Sequence, residues 1–144
     1  MYKRILVPTD GSDITGKAVQ SAIAMAKLTG AELFGIGVKE PFPYSAISEM
    51  QPIPPQEFFD SQERIAVKHL QAVRDAADAA GVKCTAASIE ALHPWEAILD
   101  YGKQQDCDLI VMASHGRRGV AALLLGSETQ KVLTHGAVPV LVVR

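Results

Sequence analysis

The sequence predicts an α/β fold: one domain spanning residues 1–144, built as a three-layer, doubly wound sheet of five parallel strands. Three observations lead there. Five short runs are largely apolar, as expected of strands covered on both sides, although one of them, Cys84 to Ile89, alternates loosely. Amphipathic helical patterns separate the runs, which is the alternation of a parallel sheet with crossover helices. No repeat, linker or low-complexity tract divides the chain, and 144 residues suit one domain with a real core.

Composition narrows the function classes. Hydrophobic residues make up 48% and charged residues 21%, the balance of a globular chain rather than a disordered one. A net charge of −2 supplies no general attraction to nucleic acid or to an anionic membrane, so any anion site is local. Lys3-Arg4 before Ile5-Leu6-Val7 has the polarity of an export leader, but Pro8 ends the run too soon. No stretch approaches the ~20 apolar residues of a membrane span, and the expected location is cytoplasmic. The 2 cysteines, Cys84 and Cys107, have no CxxC spacing and read as buried free thiols.

In chain order, Arg4 to Val7 is the first strand, closed by Pro8. Asp10-Gly11-Ser12-Asp13 is its turn; Ser12 or Asp13 caps a helix with Ala18, Ala22, Met25 and Ala26 on one face and Gly30 as its stop. Ala31 to Val38 is the second strand, and its Gly35 and Gly37 share a face on which something packs closely. Lys39 to Asp60, with Pro41, Pro43, Pro52, Pro54 and Pro55, reads as a long functional loop whose Phe42, Tyr44, Phe58 and Phe59 either pin it or cover a ligand. Ser61 to Ala80 is a helix with Ile65, Leu70, Val73, Ala77 and Ala80 facing inward, His69 beside that stripe in a structural place, and Gly81 at its end. Cys84 to Ile89 is the third strand. Pro94 starts a helix with Trp95, Ile98 and Leu99 inward. Asp108 to Met112 is the fourth strand, a helix after Gly126 opens with the capping box Ser127 and Gln130 and stops near Gly136, and Pro139 to Val143 is the fifth strand.

The chemistry concentrates in Val111 to Gln130. Gly116 and Gly119 permit positive φ and close backbone approach, so successive N–H groups can form an anion-binding concavity. Gly126-Ser127 then begins a helix whose free N–H groups attract the same kind of ligand. Two anion-seeking elements in one stretch suggest a polyphosphate; the plainer reading is that the glycines only make turns and Ser127 only caps.

This segment resembles the nucleotide loop of the universal stress protein family in its ATP-binding branch, where a glycine, two residues, a second glycine, nine residues and Gly-Ser or Gly-Thr cradle phosphates. Gly116, the nine residues Arg117 to Leu125, and Gly126-Ser127 fit that spacing, while Ala113 replaces the first glycine. Lys3 to Ser12 and Pro139 to Val143 extend the resemblance over nearly the whole chain. It implies the strand order 3-2-1-4-5 of an adenine nucleotide alpha hydrolase-like fold, with the crevice between the first and fourth strands. It further implies adenosine contact by Asp10, with Pro8, Thr9 and Val38 bordering the base. Met112, Ala113 and Gly116 would flank the ribose and phosphates, beside His115 and Arg117, and Gly126, Ser127 and Thr129 would donate to phosphate oxygens. The implied ligand is ATP, or else AMP or ADP, with Mg²⁺ accompanying a triphosphate.

From the residues alone, Asp10 serves either as an acceptor for ribose or adenine or as a helix cap. Glu128 complements its helix dipole yet would repel a triphosphate there, unless it points away or is offset by Mg²⁺, Arg117 or Arg118. His115 is a weak candidate for catalysis, which needs a reactive oxygen within reach. His93 and His135 make no metal spacing with the cysteines, no Walker or dinucleotide glycine pattern occurs, and at most slow ATP hydrolysis or autophosphorylation is expected. The leading reading is a regulatory or sensing module that binds ATP. Ala113 and Glu128 favour an alternative, a nucleotide-free dimeric interaction module of the same fold. In either case the apolar final strand, Val140 to Val143, is expected to pair two chains into a homodimer.

Overall fold

The computed structural model describes residues 1–41, 56–116 and 124–144. Phe42, Tyr44, Arg117, Arg118 and Gly119 lie outside the described residues. Chain order is β1 (Arg4–Pro8), α1 (Asp13–Thr29), β2 (Glu32–Lys39), α2 (Gln56–Ala79), β3 (Cys84–Glu90), α3 (Pro94–Gln104), β4 (Leu109–Ala113), α4 (Ser127–His135) and β5 (Val140–Val143). The strands form one sheet in the order β3-β2-β1-β4-β5. All neighbours are parallel: Leu6 stands between Phe34 of β2 and Ile110 of β4, and Val38 pairs with Ile89 of β3.

Successive residues of each strand serve opposite layers. Ile5, Val7, Leu33 and Val111 pack with Ala18 and Ala22 of α1 and with Val73 and Ala77 of α2. Leu6, Phe34, Ile36, Ile110 and Met112 form the second core with Ile98 and Tyr101 of α3 and Val132 of α4. The central strands β1, β2 and β4 are thus covered on both faces, while the outer strands β3 and β5 are only partly buried.

The helix boundaries follow their end residues. Ser12 caps α1 by accepting from the Thr15 N–H, and Gly30, at φ 72°, closes it with its N–H on the Ala26 carbonyl. Gly81 takes the same left-handed conformation after α2. The shared face of Gly35 and Gly37 is where α2 presses down: a Cβ on Gly35 would stand 3.4 Å from Val73 Cγ1, and one on Gly37 3.6 Å from Leu70 Cδ2.

One boundary and one inward position differ from expectation. Helix α2 begins at Gln56, so Phe58 and Phe59 belong to its first turns, where their rings meet edge to face at 5.6 Å. The prolines that suggested an irregular stretch end at Pro55, and proline is compatible with the start of a helix. The inward stripe of α2 is Ala66, Leu70, Val73 and Ala77, whereas Ile65 is 40% exposed. Ala66, Leu70, Val73 and Ala77 are spaced four, three and four apart and so share one face, whereas Ile65, five before Leu70, falls off it.

The cysteines are free and serve different layers, Cys84 against the α1–α2 core and Cys107 within the α3–α4 core. Burial pushes both thiols up, that of Cys107 to about 11, which keeps them protonated and weakly nucleophilic at neutral pH.

Candidate functional site

In a doubly wound sheet the crevice opens where the winding reverses, and here that is between the carboxyl ends of β1 and β4. From β1 the chain turns through Asp10 and Gly11 into α1; from β4 it leaves through Ser114, His115 and Gly116.

The β1 side is laced to β2 and to its own helix. Thr9 N–H donates to the Ile36 carbonyl at 2.9 Å, which sets the end of β1 beside the part of β2 that leads to Val38. Asp10 Oδ1 accepts from the Ser12 N–H at 2.9 Å and from the Thr15 hydroxyl at 3.0 Å. That bonding makes the tight turn, as a short carboxylate does when it accepts two residues on. The other oxygen faces across the crevice: a Cβ on Gly116 would stand 2.8 Å from Asp10 Oδ2. Asp10 is therefore both the turn-former and a wall of the crevice. Gly116 is not among the described glycines with positive φ; close approach to Asp10, rather than left-handed backbone, is what requires glycine there.

The β4 side brings the next helix in. Gly126 N–H donates to the Ser114 carbonyl at 2.6 Å, and a Cβ on Gly126 would lie 3.0 Å from His115 Cα and 3.1 Å from that carbonyl. Gly126 is also the N-cap of α4, at φ −61° and ψ 149°, without a side-chain cap. The expected capping box is thus not formed. Ser127 is the first helical residue, and Gln130 Nε2 donates to the Leu125 carbonyl instead. Backbone crowding takes the cap position for glycine, and the N–H groups of Ser127, Glu128 and Thr129 are left without partners inside the helix. The Thr129 hydroxyl is buried and donates to the Ala113 carbonyl at 2.9 Å, so it is engaged by the scaffold.

Asp10, Gly116, His115, Gly126 and Ser127 are accordingly gathered at one end of the sheet, beside Pro8, Thr9 and Met112. A model of the universal stress protein family matches the chain over residues 1–144. This chain belongs to the universal stress protein family. A universal stress protein of Thermus aquaticus is 36% identical over 145 residues, with all of both chains covered. Among solved structures, hypothetical protein MJ0577 superimposes with a TM-score of 0.84 at 27% identity, over 99% of this chain and 96% of that one. A universal stress protein in complex with cAMP superimposes at 0.75 and 24% identity, over 99% and 97% of the two chains. One of Archaeoglobus fulgidus in complex with dAMP superimposes at 0.67 and 17%, over 99% and 98%.

Two positions that the sequence sets apart can be placed: Ala113, which stands where the family motif has glycine, and Glu128, whose charge would repel a phosphate. Ala113 is 4% exposed, and its methyl belongs to the core under α1. Glu128 turns away from the first turn of α4: its Oε2 accepts the Trp95 N–H at 2.8 Å. Helix α3 needs that acceptor, because its own N-cap, His93, forms no side-chain cap bond. Trp95 in turn stacks on the His135 ring, centroids 4.6 Å apart and 27° from parallel, so both ends of α4 hold α3. His115 is partly exposed, with Nδ1 3.2 Å from the Gly116 carbonyl, to which it donates in the Nδ1–H tautomer. Among the described residues no His, Cys, Asp and Glu cluster is arranged to hold a metal.

Sequence reading missed His69 as a neighbour of the site. Its ring, carried by α2, occupies the space beside Gly11 that a side chain there would need, and nothing in local spacing signals such a contact.

Glu128 caps another helix with a charge-assisted bond, so Glu128→Ala is expected to lower stability by about 1 kcal/mol. Urea unfolding followed through Trp95, the chain's 1 tryptophan, measures it. Glu128→Gln, which keeps an acceptor, is expected to lose less than half as much, and identical midpoints for all three proteins would contradict the cap.

Proposed function

We propose that this protein binds an adenine nucleotide in the β1–β4 crevice, ATP first and AMP or ADP otherwise, and acts in the cytoplasm as a regulatory or sensing module. The observation that carries the reading is the meeting of Asp10 Oδ2 with Gly116 beside the Gly126–Ser127 end of α4. A carboxylate that accepts hydrogen bonds from ribose or adenine then stands at one end of the crevice, and backbone donors with a positive helix end stand at the other. In this arrangement Pro8, Thr9 and Val38 border the base. Met112, Ala113, His115 and Gly116 flank the ribose and phosphates, and the amides of Ser127, Glu128 and Thr129 meet the phosphate oxygens. Arg117, outside the described residues, is the proposed clamp on the phosphate tail.

The features that favoured a nucleotide-free module lose their force here. The Ala113 methyl lies in the core, and the Glu128 carboxylate is engaged by the α3 N-terminus. The cAMP and dAMP complexes of structural neighbours support the same ligand class. A triphosphate would bring Mg²⁺ with it, held chiefly by phosphate oxygens and water, in keeping with how reluctantly that ion dehydrates. Hydrolysis or autophosphorylation is at most slow in this reading, since His115 is turned toward a carbonyl of its own loop.

Equilibrium dialysis is expected to show saturable ATP binding below millimolar concentration, with Ala113→Gly altering affinity by less than threefold. Absence of saturable binding by the parent would overturn the proposal, and binding gained only in Ala113→Gly would point to a site that has lost its role.

We also propose a homodimer. Strand β5 is the outer strand on its side of the sheet, Leu141 on it is 39% exposed, and Leu133 on α4 is 44% exposed. A two-fold pairing of Val140–Val143 would cover both the apolar surface and the edge that, among the described residues, β5 leaves without a neighbouring strand. Sedimentation equilibrium is expected to give twice the 15.4 kDa chain mass, and the monomer mass after Leu141→Lys. A parent that sediments as a monomer at high micromolar concentration would contradict the dimer.

A further inference from the structure

We propose that His69 is a positioning residue for the nucleotide site: from α2 it holds the turn that presents Asp10 to the crevice. The inference rests on the nucleotide reading above and deepens it. Gly11 adopts φ +78°, a conformation few side chains accept, and the face where a Cβ would project is filled by the His69 imidazole, through Nε2, Cε1 and Cδ2. The turn is therefore fixed from two directions. On one side, the Ser12 N–H and the Thr15 hydroxyl bind Asp10 Oδ1, and the Gly11 N–H donates to Thr9 Oγ1 at 3.2 Å. On the other side stands a planar ring carried by a different helix.

The ring is itself well anchored. Leu70, the next residue, lies over Gly37, and Val73, one turn on, lies over Gly35, so this part of α2 is seated in the hollow those two glycines leave in β2. The same strand carries Val38, proposed at the base. His69 thus links the two proposed adenosine walls, Asp10 and the end of β2, through one rigid helix. Without the ring, the Asp10–Gly11 turn has open space on its outer side, and Oδ2 is no longer held opposite Gly116.

The test compares the parent with His69→Ala, His69→Phe and Val82→Ala by ATP titration and by amide hydrogen exchange of the ligand-free proteins. His69→Ala is expected to weaken ATP binding about tenfold and to speed exchange at Gly11 and Ser12, while Ala31, whose N–H bonds the Ala26 carbonyl beyond the far end of α1, exchanges as in the parent. His69→Phe, which keeps a ring over Gly11, is expected to restore affinity to within threefold. Val82→Ala removes packing from the same core beyond the end of α2, away from Gly11, and is expected to lower the unfolding midpoint with affinity changed less than twofold. Unchanged exchange at Ser12 in His69→Ala would overturn the proposal, as would equal losses of affinity in His69→Ala and His69→Phe. If the parent binds no ATP, the nucleotide reading falls by itself, and the exchange at Gly11 and Ser12 still decides whether His69 holds the turn.

Discussion

The adjacency of β1 and β4 is the constraint on which the rest of this molecule depends. Right-handed crossovers send α1 and α2 to one face and α3 and α4 to the other, so the chain leaves these two neighbouring strands in different directions and opens a cleft between them. The cleft is kept narrow by glycine. Gly116 lets the Asp10 carboxylate come close, and Gly126 lets the start of α4 lie against Ser114 and His115. A side chain at either place would drive backbone against backbone or against a carboxylate, so the glycines here act by what they leave out.

Each polar group at this end of the sheet also serves the fold. Asp10 shapes its turn with one oxygen and faces the cleft with the other. Thr129 closes the Ala113 carbonyl and leaves its N–H on the helix end. Glu128 turns its charge to the start of α3, which removes repulsion from the place where phosphates are proposed and supplies the acceptor that His93 does not. A site built from groups already held by the scaffold needs little reorganisation to receive an anion, and preorganisation of this kind favours affinity.

Much of this architecture was legible in the residues. The five apolar runs become the five strands, Ser12 and Gly30 bound α1 as their chemistry requires, and Gly35 and Gly37 mark the face on which α2 lies. Strand order came from family resemblance, since periodicity reports which face is buried and not which strand is next. The features that escaped are contacts between distant segments. Glu128 with Trp95, and His69 with Gly11, join residues on different elements, and no local pattern records them. The capping box failed for a related reason: Ser127 and Gln130 have the right spacing, but tertiary crowding at Ser114 makes Gly126 the cap. In the inward stripe of α2, Leu70, Val73 and Ala77 were legible, whereas Ile65 lies five residues before Leu70, off the face that Ala66, four before it, shares.

The central claim is that one crevice, between β1 and β4, receives the nucleotide. Amide chemical shifts of the ¹⁵N-labelled protein during titration with MgATP test it most directly. Saturable shifts confined to Asp10, Gly11, Gly116 and Ser127 to Thr129, with Gly30 and Gly81 at the opposite end of the sheet unmoved, are the expected result. Shifts that cluster around Gly30 and Gly81, or a spectrum that does not change up to millimolar nucleotide, would contradict it.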